Sequence, residues 1–211
     1  MKPIPEPTRK RLIRLAQLLS QQKFKPLDET QNELPKTITS LRIQKLTGWS
    51  NATIRKDISY MNVKCGASNG YKIEELHRAI TTKLGLQIDG DKKRCCIVGL
   101  GKIGQALLEY AGFENSNFEL VAGFDSNVNR TEILTAPFPL YTTSYMKSVI
   151  KEQNIEYAIL SAPEKEATAL AIKLSEAGIK GIVNYTNALI SVPPGIPVKN
   201  VSIISALQNL L

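Results

Sequence analysis

Residues 95–110, CCIVGLGKIGQALLEY, constrain this chain more than any other stretch. An apolar strand runs into Gly99, Gly101 and Gly104 at GxGxxG spacing, and a helical pattern follows. Gly99 permits the tight turn, Gly101 lets the backbone approach a pyrophosphate, and Gly104 lets the helix pack closely on the strand. The amides of Lys102 and Ile103 open the helix toward the phosphates, with the helix dipole favouring their charge. Asp125 ends the next apolar run, FELVAGFD, 21 residues after Gly104. An acid there accepts hydrogen bonds from the adenosine ribose and repels a 2′-phosphate, which favours NAD(H) over NADP(H). Arg130 lies close enough in sequence to blur that choice. The alternative is a glycine turn kept for helix packing, with Asp125 capping a loop.

Beyond this turn the rhythm is strand and helix in alternation. RCCIVG, FELVAGFD, LYTT, EYAILSA and GIVNY read as strands; GKIGQALLEYAG, SYMKSVIKEQN and EKEATALAIKLSEAG read as helices. Such alternation predicts a parallel sheet covered on both faces, a Rossmann-type domain over residues 89–193. A short tail, 194–211, adds a strand and a small helix. Cys95 and Cys96 are adjacent on a strand, so they point to opposite faces, and both are expected buried as small hydrophobes.

Residues 1–88 have a different character. They carry 16 Lys+Arg against 7 Asp+Glu, a net charge of +9, whereas the remainder carries 11 against 12, a net of −1. The basic half therefore calls for a polyanionic partner and the other half does not. TRKRLIRLAQLLSQQ has apolar residues at helical spacing, with Thr8 as its cap, and KFKPLDETQNELPK reads as a loop. TITSLRIQKLTG is a short helix closed by Gly48, and WSNATIRKDISYM begins another capped by Ser50 or Asn51. Two short helices meeting at LTGWSNATIRKD have the helix-turn-helix layout. Ser50, Asn51 and Thr53 are placed to reach bases or phosphates, and Arg55 and Lys56 to contact phosphates or guanine. KCGASNGYKI follows as the hairpin of a wing, and KIEELHRAITTKLGL as a further helix. A three-helix structural module is the alternative reading of the same pattern. The fold class is thus α/β, an N-terminal winged helix-turn-helix domain followed by a Rossmann-type parallel sheet domain.

A dehydrogenase needs a proton donor or acceptor near the nicotinamide. The only histidine, His77, lies in the basic half, and no nucleophile-with-base set is visible. The nucleotide reads as a ligand to be sensed rather than a reagent, and no enzyme activity is expected. The start MKPIPEPTRKRL has no signal-peptide h-region, and no apolar run has membrane-spanning length, so a cytoplasmic, membrane-free protein is expected.

ATIRKDISY (52–60), the glycine turn (99–104), FD (124–125), SAP (161–163) and AGIKGIVNYTNALISVP (177–193) together resemble the Rex redox-sensing transcriptional repressors of bacteria. The resemblance runs from about Pro5 to the C-terminus. It implies a homodimer that binds double-stranded operator DNA when NADH is scarce and releases it when NADH rises. It also implies that Ser50, Thr53, Arg55 and Lys56 belong to the recognition helix and that Tyr71 belongs to the wing. Gly99, Gly101, Gly104 and Asp125 match the nucleotide cradle; Ala162, Pro163, Asn184 and Tyr185 match loops lining the nicotinamide side. There are departures. The family's wing usually carries a basic residue that enters the minor groove, but here Ala67 stands at that position in CGASNGY. Ser202 stands where the family has an acid that takes part in switching. The family's long tail helix swaps onto the partner, whereas the tail here predicts a helix of only about 12 Å. Ile203, Ile204, Leu207 and Leu210 are expected to supply part of the dimer interface. The rival readings are a nucleotide-sensing paralogue without operator binding, and a small NAD-dependent oxidoreductase.

Overall fold

The computed structural model describes residues 4–21, 36–62, 66–67, 70–87, 90–114 and 116–211. The chain divides into two compact units, Met1–Gln87 and Ile88–Leu211.

In the first unit, α1 (Glu6–Ser20) buries Leu12, Leu15, Ala16 and Leu19, a stripe at helical spacing. Thr8 does not cap this helix. Pro5 is the capping position, and Thr8 lies inside the first turn, buried, where its hydroxyl reaches another helix. Proline at the helix start replaces a side-chain cap because the first amides have no intrahelical partner in any case. After β1 (Thr37–Ile38), α2 (Ser40–Thr47) is capped by Thr39, whose Oγ1 accepts from the Arg42 amide, and it closes on Gly48 at φ +75°. Then come α3 (Asn51–Ser59), β2 (Gly66–Ala67), β3 (Gly70–Lys72) and α4 (Ile73–Leu84). The strands form an antiparallel sheet of order β1-β3-β2, whose β2–β3 hairpin is the expected wing. One core joins the helices: Leu12, Leu19, Ile43, Ile54, Leu76 and Ile80 are almost wholly buried. The loop expected over 23–36 falls almost entirely outside the described residues, as does Cys65.

The second unit is a parallel six-stranded sheet of order β6-β5-β4-β7-β8-β9. Its elements are β4 (Lys93–Val98), α5 (Lys102–Leu108), β5 (Phe118–Asp125), α6 (Val128–Ile133), β6 (Leu140–Thr142), α7 (Met146–Glu152), β7 (Tyr157–Leu160), α8 (Glu164–Ala177), β8 (Gly181–Asn184), β9 (Val198–Asn200) and α9 (Ile203–Gln208). The two faces of β4 feed different cores. Cys96 and Val98 join the layer under α7 and α8, and Ile97 joins Leu100 and Leu108 on the α5 side. Cys95 and Cys96 are both buried free thiols. Burial, with the charges of Glu156 and Glu119, pushes the Cys95 thiol up to about 12. Burial raises Cys96 as well, so neither is a nucleophile near neutral pH. No described helix is long and apolar enough to cross a membrane.

Candidate functional sites

The sheet order places a topological switch at β4. The chain moves outward through β5 and β6, then returns to pair β7 on the other side of β4. Ligands of open α/β sheets bind at such a point, beyond the carboxyl ends of the strands. Here those ends are Gly99 and the segment Ser161–Pro163.

The three glycines of the turn are needed for different reasons. Gly99 has φ +96°, and a Cβ on it would stand 2.5 Å from the Ala162 amide nitrogen. A Cβ on Gly104 would stand 2.0 Å from the Gly99 carbonyl oxygen, so the close packing of α5 on the turn requires glycine. Gly101 is different: its φ is −70° and nothing lies within 4 Å of a Cβ built there. Neither backbone conformation nor protein packing asks for glycine at this position.

Supporting bonds hold the turn. Gly99 donates to the Phe124 carbonyl at 2.8 Å, and the Ser161 hydroxyl donates to the Gly99 carbonyl at 2.7 Å. Lys102 and Ile103 open α5 with exposed side chains. Ala162 is buried beside Gly99, and Pro163 occupies the capping position of α8. Ser161 belongs to the SAP motif, but the sequence reading assigns a role only to Ala162 and Pro163. Its signal is a hydroxyl placed immediately after a strand at the switch point.

Two of the expected nucleotide residues have their polar atoms committed inside the protein. Asp125 is buried; its Oδ2 accepts from the Leu100 amide at 2.6 Å and from Arg130 Nη1 at 3.3 Å, and its Oδ1 accepts from the Asn127 amide at 2.8 Å. Asn184 is fully buried. Its amide donates to the Ala188 carbonyl and to Asn200 Oδ1, each at 3.0 Å, while its Oδ1 accepts from the Thr186 amide and hydroxyl. All four of its hydrogen-bonding positions are used in shaping the loop after β8. Tyr185 is half-buried, with its amide bonded to the Leu160 carbonyl.

In the first unit, Ser50 is the cap of α3. Its Oγ accepts from the Thr53 amide at 3.2 Å and bonds the Thr53 hydroxyl at 2.9 Å. The Asn51 amide donates to Gln44 Oε1 at 3.1 Å, tying α3 to α2. Arg55 and Lys56 are exposed, and Tyr71 is half-buried against the core. The residue that fixes α3 is Asp57, buried on the helix's apolar face with Ile54 and Ile58. Arg11 Nε donates to its Oδ2 at 2.6 Å, Arg11 Nη2 to its Oδ1 at 2.9 Å, and the Thr8 hydroxyl to Oδ1 at 2.9 Å. The Asp57 hydrogen bond and charge hold the Arg11 proton more tightly than usual, against the opposing effect of burial. This clamp escaped sequence reading, although both halves leave a trace. Thr8, Arg11, Leu12 and Leu15 share one helical stripe, and Ile54, Asp57, Ile58 and Met61 share another.

Residues 89–188 match the family model described as CoA binding domain. The redox-sensing transcriptional repressor Rex of Listeria welshimeri is 30% identical over 208 residues, covering 99% of this chain and 92% of that protein. The chain belongs to the Rex family. The protein of the same name from Limosilactobacillus fermentum is 31% identical over 174 residues, 82% of this chain and 79% of its own length. Among solved structures, RSP, a Rex-family repressor, superposes over 100% of this chain and 93% of its own with a TM-score of 0.83 at 27% identity. RSP in complex with β-NAD+ and operator DNA gives 0.84 at 26% identity, over 100% of this chain and 92% of that one. As a Rex-family member the chain is an α/β protein with a winged helix-turn-helix unit and a Rossmann-type unit. Ser202 caps α9, its Oγ accepting from the Ser205 amide at 3.2 Å.

Proposed function

We propose that this chain is a transcriptional repressor that binds double-stranded operator DNA and lets go of it when NADH occupies its Rossmann-type unit. The observation that carries the reading is Gly101. It is a glycine that neither packing nor backbone conformation requires, at the mouth of the switch-point crevice, in a chain whose other unit presents Arg55 and Lys56 on a capped helix. Its relatives support it: RSP has been solved with β-NADH and with β-NAD+ and operator DNA.

The residues fit the dinucleotide. Gly99, Gly101, Lys102, Ile103 and Gly104 would hold the pyrophosphate through the turn's backbone, and Asp125 would border the adenosine ribose. Ala162, Pro163 and Tyr185 would line the nicotinamide side, with Asn184 shaping the loop that carries Tyr185. The dinucleotide supplies a ring whose charge and shape change on reduction. The protein's part is to bind and distinguish the two forms, without turnover. On the DNA side, Ser50 and Asn51 would seat the start of α3, Thr53 and Arg55 would face the groove, Lys56 a phosphate, and Tyr71 the wing's base. The protein would act as a homodimer in the cytoplasm, with the exposed Ile203, Ile204, Leu207 and Leu210 supplying part of the contact.

A second reading, a NAD(H) sensor without operator binding, is favoured by Ala67 in the wing. An electrophoretic shift on a Rex operator duplex, repeated with NADH and with NAD+, separates the two. Retarded DNA that NADH releases and NAD+ does not supports the repressor, whereas no retardation under any condition supports the sensor alone.

A further inference from the structure

The sequence assigns Asp125 the task of rejecting a 2′-phosphate, but the structure gives that carboxylate other work. It is 3% exposed and receives the Leu100 and Asn127 amides, so it fastens the glycine turn to the end of β5. Its third partner, Arg130, is 44% exposed and uses one N–H of the guanidinium on Oδ2 at 3.3 Å, a long contact for such a pair. Ser126 and Asn127, also exposed, stand between the two in sequence.

An unpaired carboxylate beside the ribose excludes a 2′-phosphate by like charge and by offering no donor. A carboxylate beside a guanidinium has part of its charge offset, and the guanidinium supplies the donors that the carboxylate lacks. Arg presents five donors in a planar fork suited to phosphate, and among the described residues Arg130 spends one of them, on Asp125. An opposing charge stands nearby at Glu166, whose Oε2 accepts from the Ser126 hydroxyl at 3.3 Å. That contact is solvent-exposed and therefore screened, whereas Arg130 touches the ribose-side carboxylate directly.

We propose that Arg130 determines dinucleotide specificity in this chain by accepting a 2′-phosphate, so that NADPH is a second ligand of the crevice. The proposal rests on the nucleotide-binding reading above and goes beyond it. Reduced dinucleotide carrying a 2′-phosphate would then count toward the redox signal, and the protein would respond to two pools.

The test is a pair of fluorescence titrations of the full chain with NADH and with NADPH, repeated on Arg130→Ala and Arg130→Lys. Competition of bound NADH by ADP and by 2′,5′-ADP isolates the phosphate. The expected result is NADPH binding within about tenfold of NADH, a single charge-assisted contact offsetting the added desolvation. Arg130→Ala should widen that gap by at least about tenfold and weaken 2′,5′-ADP more than ADP, with Arg130→Lys between them. Because Arg130 is half in solvent, thermal unfolding should confirm that both variants fold. If NADH binds and NADPH is more than about tenfold weaker, or if Arg130→Ala leaves the gap unchanged, the specificity proposal is overturned and the nucleotide site stands. If neither dinucleotide binds, the nucleotide-binding reading falls and the proposal falls with it.

Discussion

The helix proposed to face DNA and the turn proposed to face the nucleotide are fixed in opposite ways. In the first unit, α3 is pinned by charge: Arg11 and Thr8 on α1 reach a carboxylate buried on the helix's inner face. In the second, the turn after β4 is pinned by missing atoms, since Gly99 and Gly104 lie where any Cβ would strike backbone. A charge clamp orients a helix with little apolar surface, and its outer face carries the exposed Arg55 and Lys56. A turn built from close backbone contacts keeps its amides together while leaving Gly101 bare. The difference teaches which atoms each surface must not spend: side chains outside in one case, backbone in the other.

The largest effect should come from breaking the clamp. Arg11→Ala leaves a buried carboxylate without its cation and should destabilise the chain by about 3 kcal/mol, at the lower end for buried pairs because Arg11 is partly exposed. The double substitution Arg11→Met with Asp57→Leu should recover much of that loss, since removing both charges spares the uncompensated one. Chemical denaturation measures both, and a single mutant as stable as the parent would break the comparison.

Gly104→Ala should cost about 1–3 kcal/mol by overpacking backbone, whereas Gly101→Ala should leave denaturation nearly unchanged and weaken NADH in a fluorescence titration. Equal stability losses at the two glycines would show that Gly101 is held by packing as well.

On the DNA side, Lys56→Ala should weaken operator binding by about 1–3 kcal/mol and reduce the salt slope by about one if its contact is to phosphate. Anisotropy at several salt concentrations reads both numbers.

The smallest effect lies at the strand starts remote from the crevice. The Lys180 hydrogen bond, with added charge from Lys180 and Lys93, holds the Glu156 carboxyl below the usual range, against burial. A carboxyl depressed in the folded state contributes stability above its unfolded value and loses it as pH falls through the folded one. Glu156→Gln should therefore lower the melting temperature slightly at pH 7, and the difference should shrink as pH falls below the ordinary glutamate range.

The alternating strands and helices, the glycine turn and the cap at Ser50 were legible because each is a local pattern. The short helix α6 was not. It buries none of its residues, so VNRTEI carries no apolar stripe. Thr8 looked like a cap because its type and place fit one, but Pro5 and Pro7 set the start and a partner 49 residues away claimed the hydroxyl. Asp125 and Asn184 show the same limit in the site. The residue types and positions were readable, while the bonds that occupy them from Leu100 and Asn200 depend on chain crossings no spacing encodes.

The central claim is that one ligand links the two surfaces, and linkage is reciprocal. The most direct measurement is the NADH dissociation constant of the full chain with and without a saturating Rex operator duplex, at fixed salt. The account predicts that operator weakens NADH by at least about fivefold, and by the same factor that NADH weakens operator. An NADH affinity indifferent to the duplex, when the duplex is demonstrably bound, would contradict it.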